Sequence, residues 1–197
     1  MKAAFIIFDK LTALDFIGIY DPLSRLKSMS ILPDFGWRIC AYTSEVMDDR
    51  GLRLAAESVK EPLDSYDLVI VPGGIGTRTL SRDPGFIEWL RTCGPCKLKV
   101  SVCTGALLLG AAGCLKNKRA TTHPAAFQEL EPFCACVLEQ RIVDEHDVIT
   151  ARGVTAGIDL GLYLVEKFAG PDARARIAKQ MDYPYVCHSV YAEKHNG

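Results

Sequence analysis

The chain has 197 residues, 49% of them hydrophobic and 24% charged, with a net charge of −1. That size and balance suit one folded domain with a sizeable core and argue against disorder. The near-zero charge gives no electrostatic reason to expect nucleic acid or an anionic membrane as a partner.

The first apolar run, Ala3–Phe8, predicts a strand buried on both faces. It is too short for a signal-peptide core, and no run reaches the roughly 18–20 residues that cross a bilayer. The expected compartment is therefore a reducing cytoplasm, with the eight cysteines as thiols. Spacing over Phe16–Lys27 predicts a helix with Leu23 and Leu26 on one side and Asp15 where an N-cap would stand. Trp37–Tyr42 and Leu52–Val59 read as strands, and Leu68–Val71 as a second buried one ending at Pro72-Gly73-Gly74. Pro84–Leu90 reads as a helix capped by Asp83. Val100–Val102 is a further buried strand that runs directly into an apolar helix over Thr104–Gly113.

A short strand at Ala120–Thr122, a helix from Pro124 and a hairpin around Asp144-Glu145-His146-Asp147 follow. Val154–Phe168 is a helix with Ile158, Leu162 and Val165 on one face. Strands alternating with helices predict an α/β fold with a mostly parallel sheet, one domain over residues 1–197 with no linker or repeat. Residues 182–197 show no clear period and are expected to be a flexible end or a dimer arm.

Two cysteine motifs lie within a dozen residues. Cys93-Gly94-Pro95-Cys96 has the letters of a thiol–disulfide exchange motif, but such a motif needs its first sulfur at a helix N-terminus. Here it falls between a helix and a strand, where Gly and Pro are ordinary turn residues, so the reading is two loop thiols open to air oxidation. Zinc would need two more ligands, and Cys134 and Cys136 offer poor finger spacing; no metal is expected.

Cys103 has the setting that Cys93 lacks. It ends a buried strand and precedes a helix, with Gly105 close behind, the outline of a nucleophile elbow. A helix N-terminus there would lower the thiol pKa. Asp15 and Gly73-Gly74 end at the same sheet edge, where open α/β sheets bind ligands. The amides of Gly74 and Thr104 could then pair as an oxyanion hole. Taken singly, the alternatives are a small buried cysteine, a helix cap and a plain turn.

In LDFIG (14–18), VPGG (71–74), SVCTGALLLGAAG (101–113), RATTHP (119–124) and GVTAGIDL (153–160) the sequence resembles the ThiJ/PfpI family of the glutamine amidotransferase-like superfamily. The likeness runs to about residue 170 and is greatest to the isocyanide hydratase branch and the amidase-like domains of some regulators. It implies a flavodoxin-like three-layer sandwich, usually a homodimer, that acts on a small molecule with no cofactor. It also implies Cys103 as nucleophile, Asp15 as acid and base, and the amides of Gly74 and Thr104 around the reacting group. Thr104 stands where the family's peptidases carry histidine, which argues against a Cys-His dyad.

Three positions depart from the hydratase pattern: Ile19 for a proline, Pro124 for an aromatic, and Ala151-Arg152 within a glycine run. Arg152 facing the pocket would suit an anionic substrate; otherwise it is a surface or dimer-interface charge. His123 is a candidate neighbour of the site or a structural histidine. His146, His188 and His195 carry no argument, and Asp21 is expected to cap or to face solvent.

The implied reaction is addition of the Cys103 thiolate to an isocyanide carbon, with Asp15 delivering a proton and then serving water, releasing an N-substituted formamide. An amidase or glyoxalase-like activity stays open beside it. The other class is a non-enzymatic sensor of ligands or oxidants, for which Cys40 or Cys187 would have to approach Cys103 in the fold. No helix-turn-helix module is expected in the short stretch after the domain.

Overall fold

A computed structural model of the chain describes residues 1–185 and 189–192. The alternation of the sequence becomes β1 (Lys2–Ile7), α1 (Ala13–Ser28), β2 (Gly36–Ala41), β3 (Glu45–Met47), β4 (Arg53–Ala55), β5 (Ser58–Val59) and β6 (Leu68–Val71). There follow α2 (Thr77–Leu80), α3 (Pro84–Arg91), β7 (Leu98–Val102), α4 (Gly105–Ala111), β8 (Arg119–Ala120), α5 (Phe127–Leu130) and β9 (Cys136–Val137). β10 (Ile142–Asp144), β11 (Val148–Ala151), α6 (Ala156–Ala169), α7 (Pro171–Gln180) and β12 (Val190–Ala192) complete the described order.

Among the described residues the main sheet has eight strands in the order β12-β10-β11-β7-β6-β1-β2-β5. Every neighbouring pair is parallel except the β10–β11 hairpin. All residues of β6 and β7 are buried, as are Ala3–Ile7 of β1, so both faces of the central strands are covered. One cover is α1, α6 and α7; the other gathers α2, α3 and α5 around α4. This is the flavodoxin-like three-layer arrangement that the resemblance implies.

The backbones of α1 and α6 approach unusually closely. A Cβ on Gly18 would lie 3.3 Å from the carbonyl carbon of Gly157, and one on Gly161 would lie 2.8 Å from the Pro22 ring. Pro22 sits inside α1 without ending it. That seam fixes the first turn of α1, and with it Asp15, against the sheet.

Several local expectations are corrected. α1 starts at Ala13, so Asp15 lies in its first turn and Thr12 takes the cap position. The single strand expected over Leu52–Val59 is two: β4 pairs antiparallel with β3 in a separate ribbon, while β5 joins the edge of the main sheet. The chain turns between them at Ala56-Glu57, and only Ser58 of β5 is buried. The helix expected from Pro124 is a 3-10 turn over Pro124–Ala126 before the single turn of α5. Asp21 does face solvent, as expected, and also pairs with Arg25 one turn on, with 2.9 Å from Arg25 Nε to its Oδ2. Part of the expected flexible end is ordered, because β12 pairs parallel with β10. His188, His195 and Cys187 lie outside the described residues.

Candidate active site

Three loops that follow parallel strands converge at one edge of the sheet. Asp15, after β1, is fully buried. Its Oδ2 accepts the Gly73 N–H at 3.0 Å, and its Oδ1 is buried with no hydrogen-bond partner among the described residues. Gly73, after β6, is the hinge of the arrangement. A Cβ there would lie 2.6 Å from Thr104 N and 2.8 Å from both Asp15 Oδ2 and Cys103 Cβ. No side chain fits at those distances, and its absence lets the carboxyl group and the sulfur share one small space.

Cys103, after β7, has φ of 54°, in the left-handed region that costs a non-glycine residue about 1–3 kcal/mol. Neighbouring segments hold it there. Its N–H is shared between the carbonyls of Ala151 at 3.0 Å and Arg152 at 2.9 Å, and its own carbonyl accepts the Thr122 hydroxyl at 2.8 Å. Gly105 opens α4 so close to β6 that a Cβ would lie 2.2 Å from the Val71 carbonyl oxygen. The result is a sharp strand-to-helix elbow, clamped from three sides.

The electrostatics reverse one expectation from the sequence. Burial first, and then the charge of Asp15, push the Cys103 thiol up to about 12, although the Thr104 N–H pulls the other way. The short α4 does not outweigh a buried sulfur facing a carboxylate. Burial also pushes the Asp15 carboxyl up to about 6; the thiol and the Gly73 N–H draw it down, and Asp49 raises it slightly. Burial thus disfavours the charged form of both groups, and the facing carboxylate disfavours the thiolate further.

The amides divide differently from the expected pair. Gly74, at φ of 137°, donates its N–H to Thr104 Oγ1 at 3.0 Å, and that hydroxyl donates to the Gly74 carbonyl at 3.1 Å. The Gly74 amide is thus committed to Thr104. The Thr104 N–H is the one that favours charge on the Cys103 sulfur.

His123 accepts the Ala125 N–H on Nδ1 at 3.2 Å, which caps the turn after it. Its ring packs on Gly153, where a Cβ would lie 2.8 Å from its Cδ2. Arg152 donates to the Glu139 carbonyl at 3.0 Å and lies over the Phe127 ring. Both line a groove of about 480 Å³ with Arg141 and Ser189, joined to the elbow through the Arg152 carbonyl. Cys40 is buried with its sulfur 3.4 Å from the Tyr66 hydroxyl. Among the described residues no group of three or more His, Cys, Asp or Glu side chains is placed to hold a metal ion. None of the described helices is long and apolar enough to cross a membrane.

The model of the DJ-1/PfpI family matches residues 1–167. The chain belongs to the DJ-1/PfpI family. It is 33% identical to an isonitrile hydratase of Pseudomonas putida over 184 residues, 93% of this chain and 78% of that protein. It is also 33% identical to a glutathione-independent glyoxalase DJ-1 of Schizosaccharomyces pombe, over 122 residues, 60% of this chain and 63% of the relative. Among solved structures, a ThiJ/PfpI family protein from Pseudomonas syringae superposes with a TM-score of 0.85 at 27% identity, covering 93% of this chain and 75% of that one.

Within this DJ-1/PfpI domain the residues that sequence reasoning missed are supports rather than reagents. Thr122 holds the elbow carbonyl, Ala151 and Arg152 hold its amide through main-chain oxygens, and Gly73 leaves the space. Thr122 lies in RATTHP, so the motif was visible; its partner was not. The two carbonyls leave no mark in the sequence, because any residue could supply them.

Proposed function

We propose that this protein is a cysteine-dependent hydratase of small electrophiles, with isocyanides as substrates and N-substituted formamides as products. The observation that supports it most is the meeting of Asp15 and Cys103 across Gly73, with a carboxyl group whose pKa of about 6 lets it both take and give a proton near neutral pH. The likeness to the isonitrile hydratase points the same way.

The sulfur attacks the terminal isocyanide carbon while its proton passes to Asp15. Asp15 then delivers that proton to the same carbon, and a thioimidate results. Because sulfur keeps its proton at rest, the carboxylate is the base of the first step and the acid of the second. Water adds to the thioimidate carbon, Asp15 accepting its proton and passing it to the substrate nitrogen, and the proton left on the new hydroxyl returns to sulfur as the carbon–sulfur bond breaks. Loss of the thiol releases the formamide, with one water consumed in all. The Thr104 N–H stabilises charge on sulfur during attack and departure.

A stable oxidant sensor at Cys103 fits less well, since peroxide reacts with thiolate and both burial and the facing Asp15 charge disfavour that form. The test is formamide production from an aryl isocyanide by the native chain and by Cys103→Ser and Asp15→Ala, with methylglyoxal as a parallel substrate. Turnover of the isocyanide, lost in both variants, is expected. Turnover of methylglyoxal alone would replace the proposal by a glyoxalase-like one. A homodimer is proposed with it, to be measured by sedimentation.

A further inference from the structure

The Cys93-Gly94-Pro95-Cys96 motif is rearranged by the fold. Both cysteines are buried, not open loop thiols, and they face different partners. Cys96 donates to the Leu63 carbonyl at 3.0 Å. Cys93 instead lies with its sulfur 4.0 Å from that of Cys114, in the turn after α4. Cys114 is half-buried while Cys93 is fully enclosed, so Cys114 is the more exposed residue of the pair. The buried Lys99 of β7 adds positive charge: its ammonium favours the thiolates of Cys93, Cys96 and Cys114. The contact between the two sulfurs, in which either thiol can donate, lets one of them stabilise the other as thiolate.

We propose that Cys93 and Cys114 form a reversible dithiol–disulfide couple, with Cys114 as the entry thiol and a hydroperoxide as the oxidant. The Cys114 thiolate attacks the peroxide O–O bond; an S–O bond forms and the distal oxygen leaves as water or alcohol after taking a proton. The Cys93 sulfur then attacks the Cys114 sulfur, the S–S bond forms, the S–O bond breaks, and the Cys93 proton leaves with the hydroxyl as water. Two thiols lose two hydrogens and one peroxide is reduced. A dithiol reverses the change by exchange.

Closing from 4.0 Å to a bond of about 2.05 Å requires a movement of about 2 Å. The chain is placed to give it. Both cysteines lie in turns, with Gly94 beside one and Gly113 beside the other; Gly113 has φ of 89° and open space around it. The ring closed by the bond would run from Cys93 to Cys114 and contain β7, Cys103 and α4, the whole elbow. The disulfide would therefore staple the base of the strained segment that presents Cys103.

The test treats the full chain with stoichiometric hydrogen peroxide, blocks free thiols and maps linked peptides by fragmentation, with Tm measured before and after. The expected result is a Cys93–Cys114 link, a mass loss of two hydrogens reversed by dithiothreitol, and a Tm raised by several degrees. The link should vanish in Cys93→Ser and Cys114→Ser and persist in Cys96→Ser. A Cys93–Cys96 link, or a wild-type Cys114 that proceeds to sulfinate without linking, would overturn the couple. A link formed with Tm unchanged would overturn the staple.

Discussion

Replacing Asp15 by asparagine separates what the carboxylate does for chemistry from what it costs the fold. The amide keeps the shape and can still accept the Gly73 N–H through its oxygen. It cannot ionise. In the native protein the Asp15 pKa rises from 3.8 to about 6, chiefly through burial, so between these values the folded state binds more protons than the unfolded state. Stability from this group is therefore present below about pH 4 and lost as pH rises through 6. At 1.36 kcal/mol per pH unit the full difference is about 3 kcal/mol, of which roughly 2–3 falls between pH 4 and 8. Urea denaturation of native protein and Asp15→Asn at pH 4, 6 and 8 measures it. The native protein should lose roughly 2–3 kcal/mol relative to the variant across that range, a midpoint change of about 1 M for a slope of 2–3 kcal/mol/M. At pH 8 the variant should be the more stable protein and inactive. Parallel stability profiles for the two proteins would refute the reasoning, because they would mean that Asp15 ionises as easily folded as unfolded.

Three further outcomes follow from the same geometry. Gly73→Ala places a methyl group under 3 Å from Asp15, Cys103 and Thr104, and should lower kcat/KM about 100-fold through a displacement on the order of 1 Å, while Gly36→Ala, with nothing within 4 Å, should change nothing; equal activity in the two variants would show that the three groups do not need this spacing. Thr122→Val removes the hydroxyl on the Cys103 carbonyl and leaves a buried acceptor unpaired, which should cost about 1–3 kcal/mol in chemical denaturation and lower activity with it. Iodoacetamide should label Cys103 slowly at pH 7 and faster as pH rises past 9, and Asp15→Asn, which removes the facing charge but not the burial, should shift that profile to lower pH; a fast native reaction at pH 7 would show that the thiol is already ionised.

The frame of the molecule was legible because continuous apolar runs such as Ala3–Phe8 and Leu68–Val71 leave few options other than strands covered on both faces. The elbow was legible for a related reason: a buried strand that passes into a helix with Gly105 at its start can turn only sharply. What could not be read was the balance of energies once the groups met. The helix N-terminus at Cys103 suggests a low thiol pKa, yet it is one effect among several, and the sequence gives no measure of burial or of the distance to Asp15. The Gly74 amide illustrates a second limit, since its partner is a hydroxyl thirty residues away on the other loop. Cys93 illustrates a third. Its neighbour in sequence, Cys96, turns to Leu63, and its neighbour in space, Cys114, belongs to no motif. A spacing of two residues constrains where sulfurs can go only while they share one helix end. In a turn between a helix and a strand each side chain follows its own layer, and pairing is decided by what the opposite layer brings, here the turn that follows α4.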